Sequence, residues 1–197
     1  MRAFVVNTKI DLKPKHQCLL ITGDGKCLKT DVEEFEKFGI DHDIGCIGRS
    51  IKLFPYADHW FNADGETAIA WVKQLSKNGL ITHTLGPVDG FDVDWDIDQP
   101  DYRYKEITNE GSRMHGSSAL FATLAAIEMG YKRIVLAGCP MDSEGHWYFD
   151  RPDNLGPIWL GVDYMAWIDF RDMEISKKVK SMSGYTAGLL GRLNELR

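Results

Sequence analysis

The apolar residues of this chain fall into short continuous runs, separated by stretches in which they recur at helical spacing. "CLLIT", Cys18 to Thr22, is one such run, closed by Gly23-Asp24-Gly25, the pattern of a strand entering a tight turn. Thr30 or Asp31 is positioned to cap a following helix, "DVEEFEKFG", which Gly39 would end. "DIGCIGRSI" and "YADHWFNAD" are two further strand candidates. Glu66 to Lys77, "ETAIAWVKQLSK", places Ile69, Val72 and Leu75 on one side of a helix that stops at Asn78-Gly79. "LITHTLG" is the next strand.

Asp89 to Asp101, "DGFDVDWDIDQPD", breaks this rhythm with six aspartates in thirteen positions. Two readings stand side by side. The aspartates can ligate a hard cation, or the segment is a solvated loop or edge ribbon with Phe91, Val93, Trp95 and Ile97 alternating inward. The spacing is not that of an EF-hand, since no glycine stands sixth and no glutamate twelfth.

Gly116 to Asp142, "GSSALFATLAAIEMGYKRIVLAGCPMD", then reads as a helix, a short corner and a buried strand. A loop follows from Cys139 to about Pro157. After it come a helix near Val162 to Ser176, the strand "KVKSM" and a last helix from about Tyr185. Short apolar strands alternating with helices predict an α/β fold: a single doubly wound, mainly parallel sheet, with residues 1–197 as one domain. "CLLIT", "RIVLAG" and "KVKSM" are expected as its central strands, because near-continuous apolar runs suit burial on both faces.

Composition narrows the function classes. A net charge of −6 argues against a broad nucleic-acid surface. No run approaches the roughly 20 apolar residues of a membrane span. The opening "MRAFVVNTKIDLKPKH" lacks the apolar core of a leader, and the four cysteines include no CxxC pair, so reduced thiols in a cytoplasmic setting are expected.

Ligands of open parallel sheets bind beyond the carboxyl ends of the strands. Here those ends carry small and polar residues: Gly23-Asp24-Gly25, Asn62-Ala63-Asp64, Gly116-Ser117-Ser118, Cys139 to Asp142, and Ser183-Gly184. Glycines admit a phosphate, and helix N-termini favour its charge. Taken singly, "GDG" is equally a turn and "GSS" equally a helix cap; together they outline a nucleotide-sized pocket.

Gly116 to Asp150, with its small-polar tripeptide, "GYK" helix end, strand, glycine loop and "WYFD", resembles a segment of the bacterial sialyltransferases that use CMP-sialic acid. It is also similar to the Rossmann-like 6-hydroxymethylpterin pyrophosphokinase-like proteins. The resemblance implies a nucleotide loop at Gly23, Asp24 and Gly25 within "TGDGKCL", and a nucleotide-facing Asn62 within "HWFNADGE". It implies a nucleotide or nucleotide-sugar ligand, with a divalent cation as an optional helper. Pro140 stands where those families carry an acidic residue, and no histidine follows His146.

Within "SEGHWYFD", His146 lies between Glu144 and Asp150, and an imidazole with a carboxylate partner suits general base work. A solvated loop histidine is the plain alternative. Asp142, His146 and Asp150 are the candidate catalytic residues. Gly23, Asp24, Gly25, Asn62, Gly116, Ser117 and Ser118 are the candidate nucleotide contacts. His115, Arg113 and Arg49 are further phosphate partners or plain surface groups; the resemblance implies phosphate contacts at Tyr102 and Tyr104, which alternation in an edge strand explains equally; and Trp147 is placed to stack on a base or sugar. Cys139 is either a nucleophile or a buried core thiol. Two functions follow: a transferase acting on a nucleotide-activated donor, or a nucleotide-binding protein without catalysis.

Overall fold

The computed structural model describes residues 1–8, 10–63, 65–75, 79–98, 117–142, 144–147 and 157–193. Its strands are β1 (Arg2–Thr8), β2 (Cys18–Thr22), β3 (His42–Ile47), β4 (His59–Asn62), β5 (Ile81–Leu85), β6 (Val93–Asp98), β7 (Arg133–Ala137) and β8 (Val179–Ser181). The described helices are α1 (Leu28–Glu36), α2 (Gly65–Leu75), α3 (Ser118–Glu128), α4 (Pro157–Arg171) and α5 (Gly184–Leu190). Among the described residues, 3-10 turns at Gly48–Lys52 and Glu174–Lys178 complete the frame.

The strands form one sheet in the order β1-β6-β5-β4-β3-β2-β7-β8. Every neighbouring pair is parallel except β1 with β6. From β2 the chain steps outward through β3, β4, β5 and β6. It then returns through α3 to β7 on the other flank of β2. The direction of progression therefore reverses between β2 and β7, the kind of position at which open parallel sheets hold ligands beyond the carboxyl ends of their strands.

Apolar layers lie on both faces. Leu19 and Ile21 of β2 pack with α3, α4 and Trp95, whereas Cys18 and Leu20 pack with Leu28 and Phe35 of α1 and Trp60 of β4. Strand side chains alternate between faces, so a strand covered on both must be apolar throughout, and β2 is buried at all five positions. Helix α3 is buried from Leu120 to Ala126, and its alanines let it lie close against the sheet.

Several sequence expectations change. "KVKSM" supplies β8, which is an edge strand rather than a central one, its Val179 and Ser181 covered and Lys180 half-buried. The opening residues, unassigned from their pattern, form β1. Only Ala3 of that strand is fully buried, so the alternation is too weak to read. The aspartate ribbon supplies β6, paired on both sides, with Val93 and Trp95 buried on one face. Neither Thr30 nor Asp31 caps α1: the helix starts at Leu28 with Cys27 at the cap, and Asp31 is buried inside it. In α2, Val72 is buried but Ile69 is exposed. Helix α4 runs from Pro157 to Arg171, ahead of the expected 162–176, and a 3-10 turn takes over from Glu174.

Candidate functional site

The two loops singled out in the sequence meet beyond the carboxyl ends of β2 and β7. Gly23 and Gly25 donate their amides to the carbonyls of Ala137 and Gly138, each at 2.8 Å, so β2 and β7 stay paired past their ends. A Cβ on Gly23 would stand 2.5 Å from the Gly138 oxygen and 2.6 Å from Cys139 Sγ. On Gly25 it would stand 2.5 Å from Pro140 Cδ. These glycines are needed for contact between two protein loops. The phosphate approach expected at Gly23 and Gly25 is filled by the chain itself, because their amides and the space beside them are taken.

Asp24, between the two glycines, has a different environment. Its Oδ2 accepts the Arg49 amide at 3.0 Å, and Gly48 at φ +56° leaves room for that oxygen, since a Cβ there would come within 2.5 Å of it. Its Oδ1 is buried without a hydrogen bond. Burial raises the Asp24 pKa above the ordinary 3.8, opposed by the Arg49 amide, the His146 imidazole, the Trp147 indole and the Ser50 amide.

The loop after β7 folds back onto this group. Met141 takes a left-handed conformation at φ +53°, uncommon for a residue with a side chain. Asp142 Oδ1 accepts the Glu144 amide at 3.0 Å, closing a tight turn, and Gly145 at φ +86° completes the reversal. His146 then pairs antiparallel with Gly25, and Trp147 donates its amide to the Asp24 carbonyl at 2.9 Å. A buried carboxyl and an imidazole, far apart in sequence, thereby become neighbours. Trp147 is half-buried and packs one side against the cluster around Leu28 and Trp60.

The other expected residues are spread along the same edge. Asn62 ends β4 and is half-buried, two strands from β2. Ser117 caps α3 by accepting the Leu120 amide at 3.3 Å, and it also accepts Trp167 Nε1 at 3.2 Å, so its hydroxyl serves the helix. Ser118 is the first residue of α3 and is half-buried. Cys139 is buried and burial drives its thiol pKa well above the ordinary 9.0, which removes the nucleophile reading. Asp150, Gly116, His115, Arg113, Tyr102 and Tyr104 lie outside the described residues. Asp92, one of the clustered aspartates, is engaged by the amide and hydroxyl of Thr82 at 2.9 and 2.8 Å. Among the described residues no group of three or more metal-ligating side chains is close enough to hold an ion.

Two arrangements had no foreseen role. Asp31 accepts the Gly138 amide at 2.8 Å and the Ser183 hydroxyl at 2.7 Å, tying α1 to both neighbouring strand ends. Its place at the start of "DVEEFEKFG" suggests a helix cap, and only the packing of α1 turns it inward as a buried tie. On the opposite face a chain of buried histidines runs under β4 and β5. Its one sequence signal is a histidine at an otherwise apolar strand position in each of "DHWF" and "THTL".

Comparison of the chain with protein-family models, with curated proteins and with solved structures finds no match. No helix of the described residues is long and apolar enough to cross a membrane.

Proposed function

We propose that this chain is a Rossmann-like, doubly wound transferase acting on a nucleotide-activated donor, similar to glycosyltransferases that use CMP-sugars. The observation that supports the reading best is the pairing of His146 with Gly25, next to Asp24, where the strand order reverses, with one Asp24 oxygen buried and outside any hydrogen bond. A carboxyl whose pKa is raised, beside an imidazole, suits proton transfer near neutral pH. The donor's phosphates would lie toward the N-termini of α1 and α3.

In the proposed reaction, ionised Asp24 takes the proton of an acceptor hydroxyl, and that oxygen bonds to the anomeric carbon. The bond from that carbon to the phosphate oxygen breaks, and its electrons leave with the nucleotide as an anion. His146 stabilises the Asp24 charge before the proton arrives, and Asp142 and Asp150 flank the loop that carries it. Asn62, Ser117 and Ser118 contact the nucleotide. Gly23 and Gly25 shape the wall behind it.

A nucleotide-binding protein without turnover is the second reading. It is favoured by the absence of any histidine after His146, the region from which the resembled sialyltransferases draw their base. Incubation with CMP-, UDP- and GDP-sugars, with and without Mg2+, separates the two by following nucleotide release. Turnover is expected, and Asp24→Asn, His146→Ala and Asp150→Asn should each lower it by roughly tenfold to a thousandfold. Binding without release supports the second reading, and no binding to any of the three sinks both.

A further inference from the structure

The buried polar chain on the α3 face has only one self-consistent arrangement of hydrogens. At one end Trp95 Nε1, which can only donate, points at His83 Nδ1 at 3.1 Å. His83 Nδ1 is therefore bare, and its hydrogen sits on Nε2, 3.0 Å from His59 Nδ1. His59 in turn carries its hydrogen on Nε2, 3.0 Å from the Tyr131 hydroxyl, and Tyr131 donates to Asp43 Oδ2 at 2.7 Å. Asp43 is a fixed acceptor: the Lys15 and His16 amides donate to Oδ2 at 2.9 and 3.3 Å, and His16 Nδ1 lies 2.7 Å from Oδ1. With a fixed donor at one end and a fixed acceptor at the other, every hydrogen between them points the same way.

An added proton has no place in such a chain. On His59 it sets Nδ1–H against the Nε2–H of His83. Shifting the His83 tautomer only moves the conflict to the Trp95 N–H. Both imidazoles are almost wholly enclosed, so water cannot relieve the mismatch. The same residues hold α3 to the sheet. His83 stacks on Phe61 at 4.4 Å, Phe61 meets Phe121 of α3 edge-on at 6.0 Å, and Tyr131 lies in the corner between α3 and β7.

We propose that the chain from Trp95 through His83, His59 and Tyr131 to Asp43 is an acid-operated latch. Closed when both histidines are neutral, it releases α3 and the α3–β7 corner from β4 and β5 when either gains a proton. The charged and titratable groups around the pair are Asp43 from β3, Asp58 just ahead of β4, Lys15 and His16 ahead of β2, Cys18 of β2, and Tyr131. α3 presents Phe121 and β6 presents Trp95. Burial lowers the His59 pKa from 6.5 to about 4, with Asp58 and Asp43 opposing and Lys15 assisting, and burial together with His59 holds that of His83 well below 6.5. Acid entry is therefore coupled to opening of the corner. Helix α3, capped by Ser117, begins at Ser118 on the carboxyl edge, so the latch also governs one wall of the candidate site.

The test is a pH titration followed by near- and far-ultraviolet circular dichroism. As pH falls from 6.5 toward about 4, the near-ultraviolet signal should be lost while the far-ultraviolet signal persists. The double variant His59→Gln/His83→Gln keeps an acceptor and a donor in the same order but cannot take a proton. Its transition should lie lower by about one pH unit or more. An unchanged midpoint in the double variant overturns the latch, as does simultaneous loss of both signals in the native chain. Should the variant fail to fold, the 15N shifts of the native imidazoles decide. Neutral, Nε2-protonated rings that do not titrate above about pH 5 are expected. A ring protonated at Nδ1, or one titrating near its ordinary value, refutes the arrangement.

Discussion

Asp24 illustrates how the fold holds one residue in conflict. Its amide neighbours satisfy one carboxylate oxygen and leave the other buried and bare. Because burial raises its pKa in the folded state, the fold binds that proton more tightly than the unfolded chain does. The stabilisation is present at low pH and is lost as pH rises through the raised value. Asp24→Asn keeps an oxygen for the Arg49 amide and removes the charge. Its melting temperature at pH 8 should equal or exceed that of the native protein, and the gain should shrink as pH falls toward 3.8. Loss of activity alongside unchanged or higher stability marks a functional carboxylate. A strongly lowered melting temperature at pH 8 would instead make Asp24 a structural anchor.

At the scale of elements, the site depends on the "GDG" loop lying directly on the Gly138–Pro140 loop. From sequence alone, a bulky β-branched residue at Gly25 is expected to block a ligand and leave the fold intact. The geometry reverses that expectation. The new Cβ would meet Pro140 Cδ at 2.5 Å and the Gly138 oxygen at 2.8 Å, and neither is the flexible end of a side chain. Gly25→Val should separate the loops, break the Gly25–Gly138 hydrogen bond and cost about 1–3 kcal/mol, the usual range for overpacking, in urea denaturation. Gly188 provides the contrast. It sits exposed in α5 with open space where a Cβ would go, and Gly188→Ala should stabilise by about 0.5–1 kcal/mol. An undisturbed Gly25→Val midpoint would show that the two loops do not depend on close contact.

For the whole molecule, the buried histidines decide the pH range of stability. A histidine whose folded pKa is depressed stabilises the native state above its unfolded value, and that contribution is lost as pH falls toward the folded one. With His59 at 6.5 unfolded and about 4 folded, lowering the pH from 7.5 to 5 should remove about 2 kcal/mol through this residue alone. His83 adds to the loss in the same direction. Asp43 acts below that range. Burial works to raise its pKa, but the hydrogen bonds from Tyr131, His16 and the backbone amides outweigh burial and hold it under 3.8, so its contribution is lost only as pH falls further. Urea midpoints measured from pH 8 to pH 4 should therefore decline steeply below 6.5. A flat profile across that interval would mean that the two imidazoles are not neutral and buried in the native state.

Much of the fold was legible because it rests on local pattern. The apolar runs at "CLLIT" and "RIVLA" could only be strands covered on both faces, and the alternation of Val93 and Trp95 identified the inward side of β6. The loops at Gly23–Gly25 and Cys139–Asp142 were legible as strand ends with small and polar residues. Other features depend on which elements become neighbours. "KVKSM" is apolar enough for a central strand, yet among the described residues no strand pairs with its outer side, and pairing is a property of the sheet rather than of the strand. Gly23 and Gly25 look like a ligand cradle in any window of sequence. Only the approach of Gly138 to Pro140, more than a hundred residues away, shows that the space beside them is filled. His59 and His83 each read as a polar break in a strand. Their register across β4 and β5, with Tyr131 reaching in from the α3–β7 corner, turns two isolated imidazoles into one directed chain. Hydrophobic periodicity reports how deeply each residue is buried; the partners that satisfy a buried polar group are chosen by long-range packing, which only the tertiary structure supplies.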